Sequence, residues 1–340
     1  MHSFPVTLAC RIMDGMAGGM TRRGLFWRGA AGAAATAVGG LLVAHDHAHA
    51  QAVNVRLYVN EGFVALPGGT QLYHRGFGTA PDDAGMPARV LRAVEGDHVT
   101  VSVTNTLDEP HGFAIDGVVD TGPIAPGATA TVNFAAPQAG TYLYADPLGT
   151  PVNRVLGLHG ALVVSPAGAS NVPFVGGPRF VREFVWVFTC IDTDWSERAR
   201  RRELVDGVAG FTPDVFLLNG RFGDFSSKAL DTTPHGRVGE PTLVRMVNAG
   251  LTVKSIHFHG NHVQVLARNG SPPPVVMNKD TVFVDREERV DVLLPFKVPP
   301  DAFPPTRISD FPVHDHQEMT QTLHGGLYPN GLLTDWHLEG

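Results

Sequence analysis

Two short segments carry the residues best suited to chemistry. Ser255-Ile256-His257-Phe258-His259-Gly260 and Val313-His314-Asp315-His316 each hold two histidines separated by one residue. Side chains alternate faces along a β-strand, so the imidazoles of each pair project from one side. If the two strands are neighbours, four imidazoles meet. Neutral imidazole is a favoured ligand for Cu, Zn, Fe and Ni, and a thiolate-free histidine cluster suits copper or zinc better than magnesium or calcium. Copper there would supply redox chemistry, and zinc would activate water without electron transfer.

The elements that must position these residues read as strands. Apolar and polar residues alternate in Val99-Thr100-Val101-Ser102-Val103-Thr104, in Thr129-Ala130-Thr131-Val132-Asn133-Phe134 and around Val282-Phe283-Val284, with Gly, Pro and Asp turns between them. Helical periodicity is confined to a short stretch near residues 195–204. The expected class is all-β, a sandwich or barrel. The chain also repeats itself: Val94-Glu95-Gly96-Asp97, a strand and Asn105 match Val238-Gly239-Glu240, a strand and Asn248, at an offset of 143. Each copy then runs into a His-Gly pair, His111-Gly112 and His259-Gly260, so two copies of one β-domain are expected. The Pro/Gly/Ala-rich stretch 166–178 reads as the linker. The expected organisation is a leader over residues 1–50, a first β-domain over 51–165 and a second over 179–340.

The leader reading rests on Thr21-Arg22-Arg23-Gly24-Leu25-Phe26, the Ala/Gly-rich apolar run that follows and the small-x-small pattern Ala48-His49-Ala50. It resembles a twin-arginine signal, which predicts a soluble protein in the periplasm or secreted. No later segment is long and apolar enough to read as a spanning helix, and no membrane partner is expected. Twelve histidines remain after the leader, enough for a converging site, and Cys190 is then the lone cysteine, so no intrachain disulfide is expected. The 340 residues carry 26 Lys plus Arg against 33 Asp plus Glu, a formal charge of −7. With 43% hydrophobic residues that excludes a disordered chain. The acidic balance argues against a nucleic-acid partner, since Arg198, Arg200, Arg201 and Arg202 are flanked by Glu197 and Glu203 and read as a solvated face.

The segment Lys254-Ser255-Ile256-His257-Phe258-His259-Gly260-Asn261-His262-Val263-Gln264-Val265-Leu266 resembles the His-Pro-x-His-x-His-Gly-x-x-Phe-x-Val-Leu motif of multicopper oxidases. Val313-His314-Asp315-His316 resembles that family's His-Cys-His segment. Gly140-Thr141-Tyr142-Leu143-Tyr144, with Gly157-Leu158-His159-Gly160, resembles the end of its first domain. The resemblance implies two cupredoxin-like Greek-key β-sandwich domains, copper at domain or subunit interfaces, and a homo-oligomer, commonly a trimer. It also marks departures. The family's type 1 copper needs a cysteine where this chain has Asp315, and histidines where it has Lys254 and Thr320. A carboxylate cannot replace the thiolate of a fast electron acceptor, so no type 1 copper is expected. By the same resemblance the first domain keeps one histidine of its His-x-His-Gly, in Glu109-Pro110-His111-Gly112, and Tyr144-Ala145-Asp146-Pro147 stands where the family has Tyr-His-Ser-His.

The expected metal ligands are therefore His111, His257, His259, His314 and His316. They suffice for one copper, or two if Asp146, Glu109 or Asp315 adds an oxygen. Asp315 and Asp146 are the candidate proton carriers, although an ideal strand turns Asp315 away from its flanking histidines. His159 and His262 read as structural, Cys190 as a small buried hydrophobe, and His324 as a residue of a Gly-rich loop that could close over the site. The leading function is an exported copper oxidoreductase acting on a small molecule or dioxygen without a type 1 centre. The alternatives are a non-catalytic copper-binding protein and a zinc site on the same scaffold.

Overall fold

The computed structural model describes residues 50–339 except 150, 204, 206–207, 301–308 and 327. The leader reading falls outside these. Among the described residues no helix is long and apolar enough to cross a membrane.

The strands fall into two similar halves. The first holds β1 (Ala52–Ala65), β2 (Gln71–Gly78), β3 (Leu91–Val94), β4 (His98–Asn105), β5 (Ala114–Ile115), β6 (Val119–Asp120), β7 (Thr129–Ala135), β8 (Gly140–Ala145) and β9 (His159–Ser165). The second holds β10 (Arg182–Ile191), β11 (Val215–Leu218), β12 (His235–Arg237), β13 (Thr242–Asn248), β14 (Lys254–Phe258), β15 (Val263–Arg268), β16 (Met277–Lys279), β17 (Thr281–Val284), β18 (Arg289–Leu294), β19 (Ser309–Asp315) and β20 (Leu333–Glu339). The segments with period-two alternation fall on β4, β7 and β17. The one helix longer than a single turn among the described residues is Thr193–Arg200, capped by the Asp192 carboxylate on the amides of Asp194 and Trp195. Its arginines pair with Glu197 and Glu203, as a solvated face does.

The halves repeat one topology. Sheet orders β2-β1-β4-β7 and β3-β9-β8-β5-β6 in the first correspond to β11-β10-β13-β18-β15-β16 and β12-β20-β19-β14-β17 in the second. Parallel pairs recur at matching places, β1 with β4 and β10 with β13, then β3 with β9 and β12 with β20. Each half closes its own core between its two sheets. Leu57, Val101, Phe113 and Leu162 pack in the first, and Trp186, Phe258, Val292 and Trp336 in the second. Each large side chain so buried contributes about 1.5–3 kcal/mol.

The repeat extends to the polar punctuation. Asn105 Nδ2 donates to the carbonyls of Glu109 and Ile124 and its Oδ1 accepts from Leu107 N. Asn248 does the same with Thr252, Val284 and Gly250. The offset of 143 thus persists beyond the strand, from 107 to 250 and from 109 to 252, and it carries His111 onto Lys254. The His-Gly pairs read as equivalents, His111-Gly112 and His259-Gly260, are not equivalent in the structure.

The halves are joined through β9. Ala161 and Val163 pack on Val185, Val187 and Val247, while Leu162 and Val164 face their own core. A buried polar bridge stands beside this seam: Thr141 Oγ1 donates to Asp291 (2.8 Å), and Arg245 reaches Thr141, Asp291 and Glu183. His159 spans the seam as well, with Nδ1 2.7 Å from the Arg154 carbonyl and Nε2 2.9 Å from Thr189 Oγ1. A carbonyl can only accept, so Nδ1 carries the proton and Nε2 accepts from the hydroxyl. Complete burial pushes the His159 pKa down to about 4. The unfolded chain then binds a proton below about pH 6.5 that the folded chain refuses, and stability falls as pH drops through that window. Urea unfolding should show His159→Gln losing up to about 3 kcal/mol less than the wild type between pH 6.5 and 4; equal slopes would contradict a neutral buried imidazole.

Candidate metal centre

β14 and β19 are antiparallel neighbours in the register Ile256↔Asp315, His257↔His314 and Phe258↔Val313. Alternation does the rest. Ile256, Phe258 and Val313 turn into the core, where Phe258 stacks on Trp186. His257, His259, His314 and His316 turn to the opposite side. Ring centroids of His257 lie 4.5, 5.6 and 5.2 Å from those of His259, His314 and His316. The four imidazoles predicted to meet do so.

Backbone and neighbouring side chains hold each ring. His259 N donates to Pro312 O, and the His259 carbonyl accepts from Trp336 Nε1 at 2.8 Å. His314 Nδ1 lies 3.1 Å from the Asp315 carbonyl, which places the proton on Nδ1 and leaves Nε2 as a lone pair. His257 Nδ1 is 2.9 Å from Thr281 Oγ1 and 4.0 Å from the Asp280 carboxylate. Partial burial pushes the His257 pKa down; Asp280 opposes this, and the neighbouring His314 and His316 work with the burial. That direction favours the neutral ring, the form a ligand takes.

One pair of the donor set has the spacing of two ligands to a single ion. Two nitrogens each about 2.0 Å from one ion stand roughly 2.8–3.3 Å apart as the angle opens from square to tetrahedral. His259 Nε2 and His314 Nε2 are 3.1 Å apart. The same contact is a hydrogen bond donated by His259, because His314 Nε2 is the acceptor. The other two rings are close but not converged: among the described residues no group of three or more His, Cys, Asp or Glu is arranged to hold an ion as it stands.

The remaining candidates lie elsewhere. His111 is fully buried, with Nδ1 2.7 Å from Asp146 Oδ2 and Nε2 without a hydrogen-bond partner. Its hydrogen bonds run to Asp146, Asn153 and Ile124 of its own half, not to the cluster. The first-half counterpart of His257↔His314 is Ala114↔Ala145, so the imidazole set belongs to the second half. Asp146 and Asp315, expected as proton carriers, are both buried and bound to backbone amides. Asp315 faces away from its flanking histidines, as an ideal strand requires. Glu109 pairs with Arg75. His324 is pinned to Asp214 at 2.7 Å. Cys190 is buried and free, its Sγ beside Leu251 N.

Sequence reading missed Thr281 and Asp280. Thr281 is opposite His257 on β17, 24 residues away in the chain, and no local spacing announces a cross-strand partner. Asp280 borders a cleft of about 810 Å³ beside His257 and His259, whose wall also includes His262, Gln264 and Lys297.

Residues 83–169 match the sequence model of the family described as multicopper oxidase. Over that stretch the chain is similar to the multicopper oxidases. It is 31% identical over 175 residues to the multicopper oxidase mco of Staphylococcus epidermidis, covering 48% of this chain and 38% of that protein. It is 27% identical over 192 residues to the copper-containing nitrite reductase of Neisseria gonorrhoeae, covering 52% and 46%. The match spans less than half the length of either relative. The blue copper oxidase of Nitrosomonas europaea superposes with a TM-score of 0.69 at 22% identity, over 84% of this chain and 85% of that one. The fold is thus a pair of cupredoxin-like sandwiches.

Thr281 orients the imidazole that stands nearest to the other three rings, and loss of such an outer partner typically weakens metal binding 10–100-fold. Titrated with Cu(II) against a chromogenic chelator, Thr281→Val should bind more weakly than the wild type by that factor. Unchanged affinity would remove Thr281 from the site.

Proposed function

We propose that this chain is an exported copper-dependent oxidoreductase working through a small imidazole-only copper centre, without a type 1 copper. One observation carries the reading: four imidazoles gather on one face of β14 and β19, while the position of the family's thiolate is taken by Asp315, buried against Lys254 (Oδ2 to Nζ 3.9 Å). An ammonium and a carboxylate offer no site to a soft metal. The copper proteins among the relatives favour copper, and none of those named supports zinc.

His257, His259, His314 and His316 would hold one copper or two, and bound copper would supply one-electron chemistry toward a small molecule or dioxygen. The cleft beside His257 and His259 would receive the substrate, with Gln264 and Lys297 offering polar contacts. Asp280 is the proton-handling group this geometry favours. Partial burial pushes its carboxyl up, but backbone N–H groups and His257 outweigh that and hold it below the ordinary carboxylate range. It is then an anion beside the cluster, 4.0 Å from His257 Nδ1, placed to hold a proton at that nitrogen. Export by the twin-arginine route, and assembly as a homo-oligomer such as a trimer, belong to the same proposal and rest on the leader motif and the family resemblance.

Elemental analysis with electron paramagnetic resonance on the folded protein tests it. The expected result is about one or two copper atoms per chain with no intense blue thiolate band, and loss of that copper in His257→Ala and His316→Ala. A blue protein, or full copper content in both variants, would overturn the reading. Copper without dioxygen-dependent oxidation of any reductant would leave copper binding as the role.

A further inference from the structure

Both halves carry the same buried carboxylate device. Asp146, just after β8, accepts from Gly112 N and Leu148 N through Oδ1, each at 2.9 Å. Asp315, at the end of β19, accepts from Ser255 N (2.9 Å) and Gln317 N (3.3 Å) through its own Oδ1. The partners correspond, Gly112 to Ser255 and Leu148 to Gln317. The second oxygen faces a buried cation-capable side chain at equivalent places, hydrogen-bonded to His111 Nδ1 at 2.7 Å in the first half and 3.9 Å from Lys254 Nζ, without a hydrogen bond, in the second. Lys254 is fully enclosed, with Nζ 2.6 Å from Thr252 Oγ1 and 5.2 Å from the centre of the Phe216 ring.

We propose that Asp315, through the two backbone amides its Oδ1 binds, is the positioning residue of the imidazole cluster. Its Oδ1 ties the start of β14 to the chain just after β19, and His316 N closes the same joint on Ser255 O at 2.8 Å. Slip is then blocked at the one register that sets His257 opposite His314. A one-residue slip would send every imidazole to the other face. In the first half the same clamp sets Ala114 opposite Ala145, so the clamp fixes alignment and the side chains decide what that alignment presents. Toward copper, the inference rests on the function proposed above.

Single variants leave one buried charge uncompensated and are expected to unfold, so paired variants make the test. Lys254→Met with Asp315→Asn removes both charges and keeps an oxygen for the two amides. Lys254→Met with Asp315→Leu removes the clamp as well. In the metal-free chain, hydrogen exchange at Ser255 N and Gln317 N should stay slow in the first pair and quicken at least tenfold in the second. The His259–His314 imidazole hydrogen bond, read by nitrogen-15 NMR, should persist in the first and vanish in the second. With Cu(II), the second should bind about 10–100-fold more weakly and give a heterogeneous paramagnetic signal. Wild-type exchange and an intact imidazole contact in the clamp-free variant would overturn the positioning role. A wild-type chain that takes up no copper would overturn the copper reading alone, since the exchange and imidazole measurements decide the clamp without metal.

Discussion

The carboxylate of Asp315 is the constraint on which the second half turns. It is buried; its Oδ1 accepts from two backbone amides on different segments, and its Oδ2, with no hydrogen-bond partner, lies 3.9 Å from the Lys254 ammonium. Leaving such a charge unmatched would cost several kcal/mol, which makes the arrangement close to all-or-none. Every imidazole of the cluster lies within three residues of Lys254, Ser255 or Asp315, or one strand step beyond. A single electrostatic requirement in the interior is thereby transmitted to the geometry of groups on the outside.

The architecture was legible because its signals are local. Period-two alternation marked β4, β7 and β17, and the repeated glycine and asparagine spacing exposed the duplication. The asparagines recur because each satisfies three backbone groups of the turn that follows it, a demand the fold makes twice. The four imidazoles were legible for the same reason, since two residues of a strand share a face wherever that strand lies.

What pairs across the sheet was not legible. Thr281 is opposite His257, and Lys254 meets Asp315 sixty-one residues away, contacts set by topology that no spacing records. His111 shows how a dipeptide can mislead. His-Gly recurs in both halves, yet the turn after Asn105 and the turn after Asn248 have equal length, and that length carries His111 to the place of Lys254. Asp146 and Asp315, taken for acid–base groups by residue type, are consumed by backbone hydrogen bonds that only the folded chain reveals.

The imidazole face is also open. His259 and His316 are exposed, while Lys254 and Asp315 behind them are sealed. On the proposed function, an ion would reach these exposed rings from solvent without entering the sealed interior. Occupancy would then follow free ion concentration by mass action, adding stability only as RT ln(1 + [ion]/Kd). On that reading the supply of the ion, rather than chain assembly, would set how much of the protein is loaded.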